Sequence, residues 1–254
     1  MKLLKAMAIA FSIYSKIPVP QFEWKEEDME YMMCFFPWIG GVIGMFFFGW
    51  AVLCEKFAVG NVCYALIGAA IPLMISGGFH VDGYMDTMDA FHSYQSREKK
   101  LEILKDSHIG AFAAIMLALY YMIDIAAISE IHTQKAVSAL AAVFFLARCF
   151  SGIAVMTLQP AKKEGLLYTF ASSAQKVRVK AALYFQAALC VVLMLLVSGW
   201  YGAAAIGAAL LSFFYFKKKS YKELGGITGD TAGFFVTVCE AAAAAAVAVV
   251  SYLL

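Results

Sequence analysis

Charge is what this sequence has least of. Only 15% of its 254 residues are Asp, Glu, Lys or Arg, against 63% hydrophobic residues. A soluble domain of that length needs more charge to solvate its surface, so a water-soluble protein with a large core is disfavoured. Paired cysteines are missing too. None of Cys34, Cys54, Cys63, Cys149, Cys190 and Cys239 belongs to a C-x-x-C pair. That excludes the usual zinc spacing and a disulfide framework, and leaves buried, inert thiols. No linker-like stretch interrupts the chain, so residues 1–254 are read as a single membrane-embedded domain. A signal-peptide cleavage site is also lacking. Met1-Lys-Leu-Leu-Lys5 has a basic start, but the apolar stretch Ala6–Ile13 is short and Lys16 follows it. An interfacial helix that stays in the mature protein is expected there.

The apolar residues fall in blocks. About 18 or more in a row is what a helix needs to cross ~30 Å of hydrocarbon. Candidate spans are Tyr31–Leu53, Val59–Ser76, Ile109–Ile131, Ala136–Leu158, Ala181–Val197, Tyr201–Phe216 and Ala232–Leu254. Only Ser198-Gly-Trp200 separates the fifth from the sixth, which predicts a tight helical hairpin. The fold class is therefore all-α: a polytopic integral membrane helical bundle of about seven transmembrane helices plus an N-terminal interfacial helix. Basic residues set the orientation. Lys2, Lys5, Lys16 and Lys25, Arg97 to Lys105, Lys162 to Lys180, and Lys217 to Lys222 all fall on one side; Lys56 and Lys135 fall on the other. The positive-inside rule assigns the rich side to the cytoplasm, with the N-terminus inside.

Chemistry concentrates in the segment after the second span, Gly77-Gly-Phe-His-Val-Asp-Gly-Tyr-Met-Asp-Thr-Met-Asp89. We read it as a cytoplasmic loop. Asp82, Asp86 and Asp89 stand at i, i+4 and i+7, a spacing that on a helix would align three carboxylates on one face. Their mutual repulsion calls for a cation, and Mg²⁺ takes a few carboxylates together with substrate phosphate oxygens. His80 is the candidate general base, since its pKa lies near working pH. Further on, Glu98, Glu102 and Asp106 form a second row in which Asp106 is the best functional candidate, though alternating signs are also what a solvated helix shows. Arg97 and Lys105 are suited to phosphates.

A third island, Gly225-Gly-Ile-Thr-Gly-Asp-Thr-Ala-Gly233, places Gly229, Asp230 and Thr231 at a helix start, where backbone N–H groups approach anions and where ordinary caps look similar. It shares G-G-x-x-x-D with Gly77–Asp82, for which chance is an adequate explanation. Glu240 follows inside the last span, where a charge is costly and faces a polar interior. Asp124 and Arg148 lie inside the third and fourth spans and are expected to pair with each other. Lys162-Lys-Glu-Gly165 is either a phosphate contact or positive-inside ballast.

These blocks resemble the cobalamin synthase family, the adenosylcobinamide-GDP ribazoletransferases. The resemblance is carried by Gly77–Asp89, by Leu101-Glu-Ile-Leu-Lys-Asp-Ser107 with Gly110, and by Gly229-Asp-Thr-Ala-Gly233 with Glu240. Lys16-Ile-Pro-Val-Pro20 and Phe36-Pro-Trp-Ile-Gly-Gly41 extend it along the chain. Departures are Lys16 where Arg is usual, Ala90 where Gly is usual, and Ala111-Phe112 after Gly110. The resemblance implies a single catalytic domain that joins adenosylcobinamide-GDP to α-ribazole or its 5′-phosphate with release of GMP. It further implies Mg²⁺ held by Asp82, Asp86, Asp89 and Asp106. Lys105 and Arg97 would neutralise charge, His80 or a carboxylate would take the hydroxyl proton, Lys162, Gly229 and Thr231 would contact substrate, and Asp230 and Glu240 would form either a second metal position or a nucleoside contact. The expected setting is the cytoplasmic membrane with the active site on its cytoplasmic face. The lipid bilayer is a partner and nucleic acid is not; a homo-oligomer or a corrinoid-pathway complex is left open. Two rivals remain. A CDP-alcohol phosphatidyltransferase would carry an Asp-Gly-x-x-Ala-Arg run, which Asp82-Gly-Tyr-Met-Asp86 does not match. An ion-coupled transporter would use Asp124, Arg148 and Glu240.

Overall fold

The computed structural model describes residues 2–20, 25–162 and 174–254. Among them the chain forms ten α-helices: α1 (Lys2–Tyr14), α2 (Phe36–Phe57), α3 (Asn61–Ser76), α4 (Phe79–His92), α5 (Arg97–Ile103), α6 (Ala111–Ile128), α7 (Gln134–Thr157), α8 (Lys176–Ser198), α9 (Trp200–Leu224) and α10 (Gly229–Leu253). Two short 3₁₀ turns, Glu26–Met29 and Met32–Cys34, lead into α2. Helix dominance is what lipid imposes, since a helix satisfies its backbone N–H and C=O groups within itself.

Among the described residues, five helices are long and apolar enough to cross a membrane: α2, α6, α7, α8 and α10. A sixth is counted if α3 and α4, bent by 96° at their junction, form one broken span. The sequence predicts about seven, and the difference has two sources. α9 has the length, but Lys217, Lys218, Lys219 and Lys222 occupy its last turns. α3 is only 16 residues, and the chain turns sharply after it.

α7 and α10 form the centre. Of their most apolar stretches, 78% and 67% of residues are buried, against 22% for α6 and 28% for α8, which turn broad apolar faces outward. Phe46 on α2, Phe185 and Leu196 on α8 and Phe214 on α9 are exposed, as expected of side chains that face lipid. α2 lies against α7 through Gly40 and Gly44. A Cβ on either would collide with the carbonyls of Phe144 and Ala141, the small-xxx-small arrangement by which membrane helices bring backbones together. α8 and α9 form the expected hairpin, hinged on Gly199 at φ +56°.

The acidic segment is a helix rather than a loop. α3 ends at Gly77 and Gly78, whose φ of +66° and +85° suit only glycine comfortably. Lys16 donates its backbone N–H to Ile75 O at 2.8 Å and lays its side chain across Gly77. α4 then runs along α10, where Gly83 abuts the Asp230 backbone and Gly233 abuts that of His80. Tyr84 stacks on Phe234 with centroids 5.8 Å apart, and Thr237 donates its hydroxyl to His80 O at 3.2 Å. Tertiary packing supplies what this polar helix lacks in apolar length, and it brings two sequence islands separated by well over a hundred residues to one place.

Candidate active site

A cavity of about 590 Å³ opens where α1, α4, α7 and α10 meet. It has two ends of different character. Tyr14, Met33, Phe36, Phe79 and Val155 make one wall, with His80 among them; Asp82, Asp230, Lys105 and Lys162 line the other.

The charged end draws on three parts of the chain. α4 supplies Asp82. The N-terminus of α10 supplies Asp230 and Gly229, and it is held by a reciprocal cap: Thr228 N–H donates to Thr231 Oγ1 at 2.8 Å, and Thr231 N–H donates to Thr228 Oγ1 at 3.1 Å. Lys162 follows α7 and donates to Leu101 O at 2.6 Å, while Lys105 follows α5. Asp86, one turn beyond Asp82, interacts electrostatically with Asp82, Asp230 and Asp89. Asp230 in turn interacts with Lys162 and Asp82. Carboxylates from α4 and α10 thus share one electrostatic neighbourhood with a lysine beside them.

The aromatic end surrounds His80, which is only 5% exposed. Its ring lies nearly parallel to Tyr14, with centroids 6.2 Å apart and planes 10° apart, and 5.7 Å from both Phe36 and Phe79. Neither ring nitrogen has a hydrogen-bond partner among the described residues.

Of the residues predicted from sequence, His80, Asp82, Lys105, Lys162, Gly229 and Asp230 line this cavity. Others are engaged elsewhere. Asp89 caps α6, accepting from Gly110 N–H at 2.7 Å and Ala113 N–H at 2.9 Å. Asp106 does not continue a row with Glu98 and Glu102, because α5 ends at Ile103. It is exposed and accepts from the His108 ring at 2.6 Å, hydrogen bonding that holds its carboxyl below the usual carboxylate range. Arg97 lies over Gly225. Thr231 is wholly buried in its cap. Lys163, Glu164 and Gly165 lie outside the described residues.

Glu240 is also away from the cavity. Its carboxylate accepts from Arg148 Nη1 at 2.7 Å, and that same nitrogen donates to Phe144 O at 2.7 Å. The expected Asp124–Arg148 pair does not form: Arg148 sits on α7 facing α10, and among the described residues its ion-pair partner is Glu240. Asp124, buried on α6, has Tyr120 and Tyr121 as electrostatic neighbours.

The aromatic wall is what sequence reasoning missed. Tyr14 and Met33 carry no motif, and Phe79, though inside the Gly77–Asp89 block, has nothing in its spacing that separates it from a core residue.

Among the described residues, no group of three or more His, Cys, Asp or Glu side chains is close enough to hold a metal by itself. Asp82, Asp86 and Asp230 nonetheless supply the hard oxygen donors that Mg²⁺ takes, and that ion binds through one or two carboxylates with water and substrate phosphate completing its shell.

Fold and site together define a polytopic helical membrane protein with one cavity that combines carboxylates, lysines and an aromatic wall. The signature of the cobalamin-5-phosphate synthase family covers residues 6–248, and the chain belongs to that family. It is 44% identical over 249 residues to an adenosylcobinamide-GDP ribazoletransferase of Lachnoclostridium phytofermentans, covering 98% of this chain and 95% of that protein. Proteins of the same name from Clostridium botulinum strain Eklund 17B and from Azorhizobium caulinodans are 34% and 29% identical. The first covers 94% of each chain; the second covers 95% of this chain and 94% of its own. No solved structure matches the chain.

Proposed function

We propose that this protein joins adenosylcobinamide-GDP to α-ribazole or its 5′-phosphate, releasing GMP, in the cavity between α4 and α10. Family membership supports the reaction. The observation that carries its location is the meeting of Asp82 and Asp230, from two distant sequence islands, with Lys105 and Lys162 in one cavity. In such a transfer a ribazole hydroxyl oxygen bonds to the phosphorus attached to cobinamide. The pyrophosphate P–O bond breaks, and GMP leaves with the electron pair. Catalysis of this type is chiefly positioning and charge stabilisation.

The chain's own groups divide the work. Lys105 and Lys162 neutralise phosphate oxygens, and the open backbone at Gly229, where an added Cβ would meet nothing within 4 Å, admits a bulky anion. A carboxylate of the Asp82–Asp86–Asp230 group takes the hydroxyl proton. Mg²⁺ would be held by the remaining carboxylates of that group, and it would supply Lewis-acid charge neutralisation on the pyrophosphate. Asp89 is left out of this set because both its oxygens are engaged by the α6 N-terminus, and Asp106 because it does not line the cavity and its Oδ1 is taken by His108.

The setting we propose is the cytoplasmic membrane, with the cavity on the cytoplasmic face and the N-terminus inside. Supporting it, Lys105 and Lys162 of the cavity and the Lys217–Lys222 cluster of α9 belong to the lysine-rich side of the sequence.

The test uses the full chain in lipid nanodiscs with adenosylcobinamide-GDP and α-ribazole, following GMP and cobalamin. Release of both should require Mg²⁺, stop on chelation, return on adding the ion back, and fall at least about a hundred-fold in Asp82→Ala, the scale of losing a proton acceptor or metal ligand. A folded, Mg²⁺-supplied sample that makes neither product refutes the assignment.

A further inference from the structure

Lys105 and Lys162, which line the charged end of the cavity, both lie just beyond helix ends, so their positions depend on what the neighbouring backbone is fixed to. α5, which leads into Lys105, has only seven residues. A helix that short is not stable by itself in water. It is anchored at the end of α9 instead. Lys100, in the middle of α5, is only 7% exposed, and its ammonium donates to Glu223 Oε2. Lys219, one turn before Glu223 on α9, pairs with the other carboxylate oxygen at 3.0 Å. The Arg97 guanidinium at the start of α5 lies over Gly225, which caps the C-terminus of α9.

Lys162 is tied to the same place. Its ammonium donates at 2.6 Å to Leu101 O, the carbonyl of the residue next to Lys100. The backbone before it is bonded to the stretch that follows Glu223: Ile227 N–H donates to Gln159 O at 3.0 Å, and Ala161 N–H donates to Ile227 O at 2.8 Å. Gln159 N–H also donates to the Tyr221 hydroxyl of α9 at 2.8 Å. The last turn of α9 is thus the common anchor of both lysines, and Glu223 is the only acid on that helix. Its pairing with Lys100 is nearly buried, with side chains 13% and 8% exposed. Apolar residues of similar volume hold two elements together as well as such a pair does, because desolvation offsets most of its attraction. Holding α5 in place by packing alone did not require these charges; a charged pair adds a fixed direction and distance.

We propose that Glu223, which does not itself line the cavity, is a positioning residue for the pyrophosphate of adenosylcobinamide-GDP. By clamping Lys100 it fixes α5, and with α5 both Lys105 and the carbonyl on which Lys162 rests. The proposal rests on the reading above, in which those two lysines neutralise phosphate oxygens. α-Ribazole without its 5′-phosphate carries no anion. Loosening α5 therefore weakens the binding of one substrate and spares the other. General loss of structure would weaken both.

The experiment assays the full chain in lipid nanodiscs with adenosylcobinamide-GDP and unphosphorylated α-ribazole, each varied against a saturating amount of the other. Lys100→Met fills the buried slot with an apolar chain and leaves Glu223 paired with Lys219, so it opens the clamp without stranding a charge. Its KM for adenosylcobinamide-GDP should rise about ten-fold, the scale of one charge-assisted hydrogen bond, while its KM for α-ribazole stays within about two-fold. Glu223→Gln should show the same split. Lys100→Arg keeps the charge and should hold both KM values within about two-fold of the natural protein. An unmoved KM for adenosylcobinamide-GDP in folded Lys100→Met overturns the proposal. A rise in both KM values together, with a lower thermal midpoint, makes the pair merely structural and overturns it as well. A fall in kcat with both KM values unmoved places its influence on the chemical step, which also overturns it. Should Glu223→Gln not fold, Lys100→Met decides alone; if neither folds, the pair serves the fold and the proposal fails. All these results leave the reaction established by the natural protein, whereas a natural protein that uses neither substrate removes the reaction and this proposal together.

Discussion

Three acidic residues that look alike in sequence have three different fates. Asp82 lines the cavity, Asp86 stands behind it, and Asp89 spends both carboxylate oxygens on backbone N–H groups at the start of α6. Asp89→Ala should therefore cost about 1 kcal/mol of stability, as the loss of a helix cap does, seen as a lower midpoint in thermal unfolding in detergent. Asp82→Ala should leave that midpoint nearly unchanged while abolishing turnover. The i, i+4, i+7 spacing was legible from sequence, but the partner of Asp89 was not, because Gly110 lies 21 residues away and offers only its backbone. Arg148 and Glu240 show the same limit. Both are visible as charges inside apolar runs, yet Glu240 rather than Asp124 accepts from Arg148, a choice set by how α7 meets α10. Glu240→Ala should strand a buried guanidinium and cost about 3–5 kcal/mol, whereas Arg148→Met combined with Glu240→Leu should cost much less. Thermal midpoints of the single and double variants test this, and a double variant no better than the single refutes it.

At the scale of elements, apolar length found all five long apolar helices because lipid demands it, but it also counted α3 and α9 as separate spans; Ser198-Gly-Trp200 marked its hairpin correctly. α4 was invisible as a helix for the converse reason. Its sequence is too polar to announce itself, and it is held by packing on α10 through Gly83, Tyr84 and Gly233. The 96° turn that aims it depends on two adjacent glycines at positive φ. They are not equivalent. A Cβ at Gly77 would run into the Lys16 side chain, while at Gly78 the nearest atom is Leu73 Cδ1 at 3.6 Å. Gly78→Ala thus isolates backbone strain, expected at roughly 1–2 kcal/mol for a left-handed residue bearing a Cβ. Because α4 carries both His80 and Asp82, turnover should fall by more than this modest loss of stability explains. Unchanged kcat/KM in a measurably destabilised variant would show that the corner does not aim the site.

The whole molecule places its cavity at one end of the bundle. The residues that line it come from the C-terminal end of α1, the N-terminal ends of α4 and α10, and the segments just after α5 and α7. The connections α2–α3 and α6–α7 lie at the far ends of those helices, where only Lys56 and Lys135 carry positive charge. Basic asymmetry of this kind orients membrane proteins with the richer side in the cytoplasm, so ends and charge together make a topological prediction that activity assays do not touch. Ser107 and His132 are both exposed and flank α6, one before it and one after. In a background with the native cysteines replaced, His132→Cys should react with a membrane-impermeant maleimide in intact cells, and Ser107→Cys only after the membrane is opened. The reverse pattern would put the cavity, with its lysines and carboxylates, on the outer face. It would leave the chemistry of the site intact while overturning the proposed cytoplasmic placement.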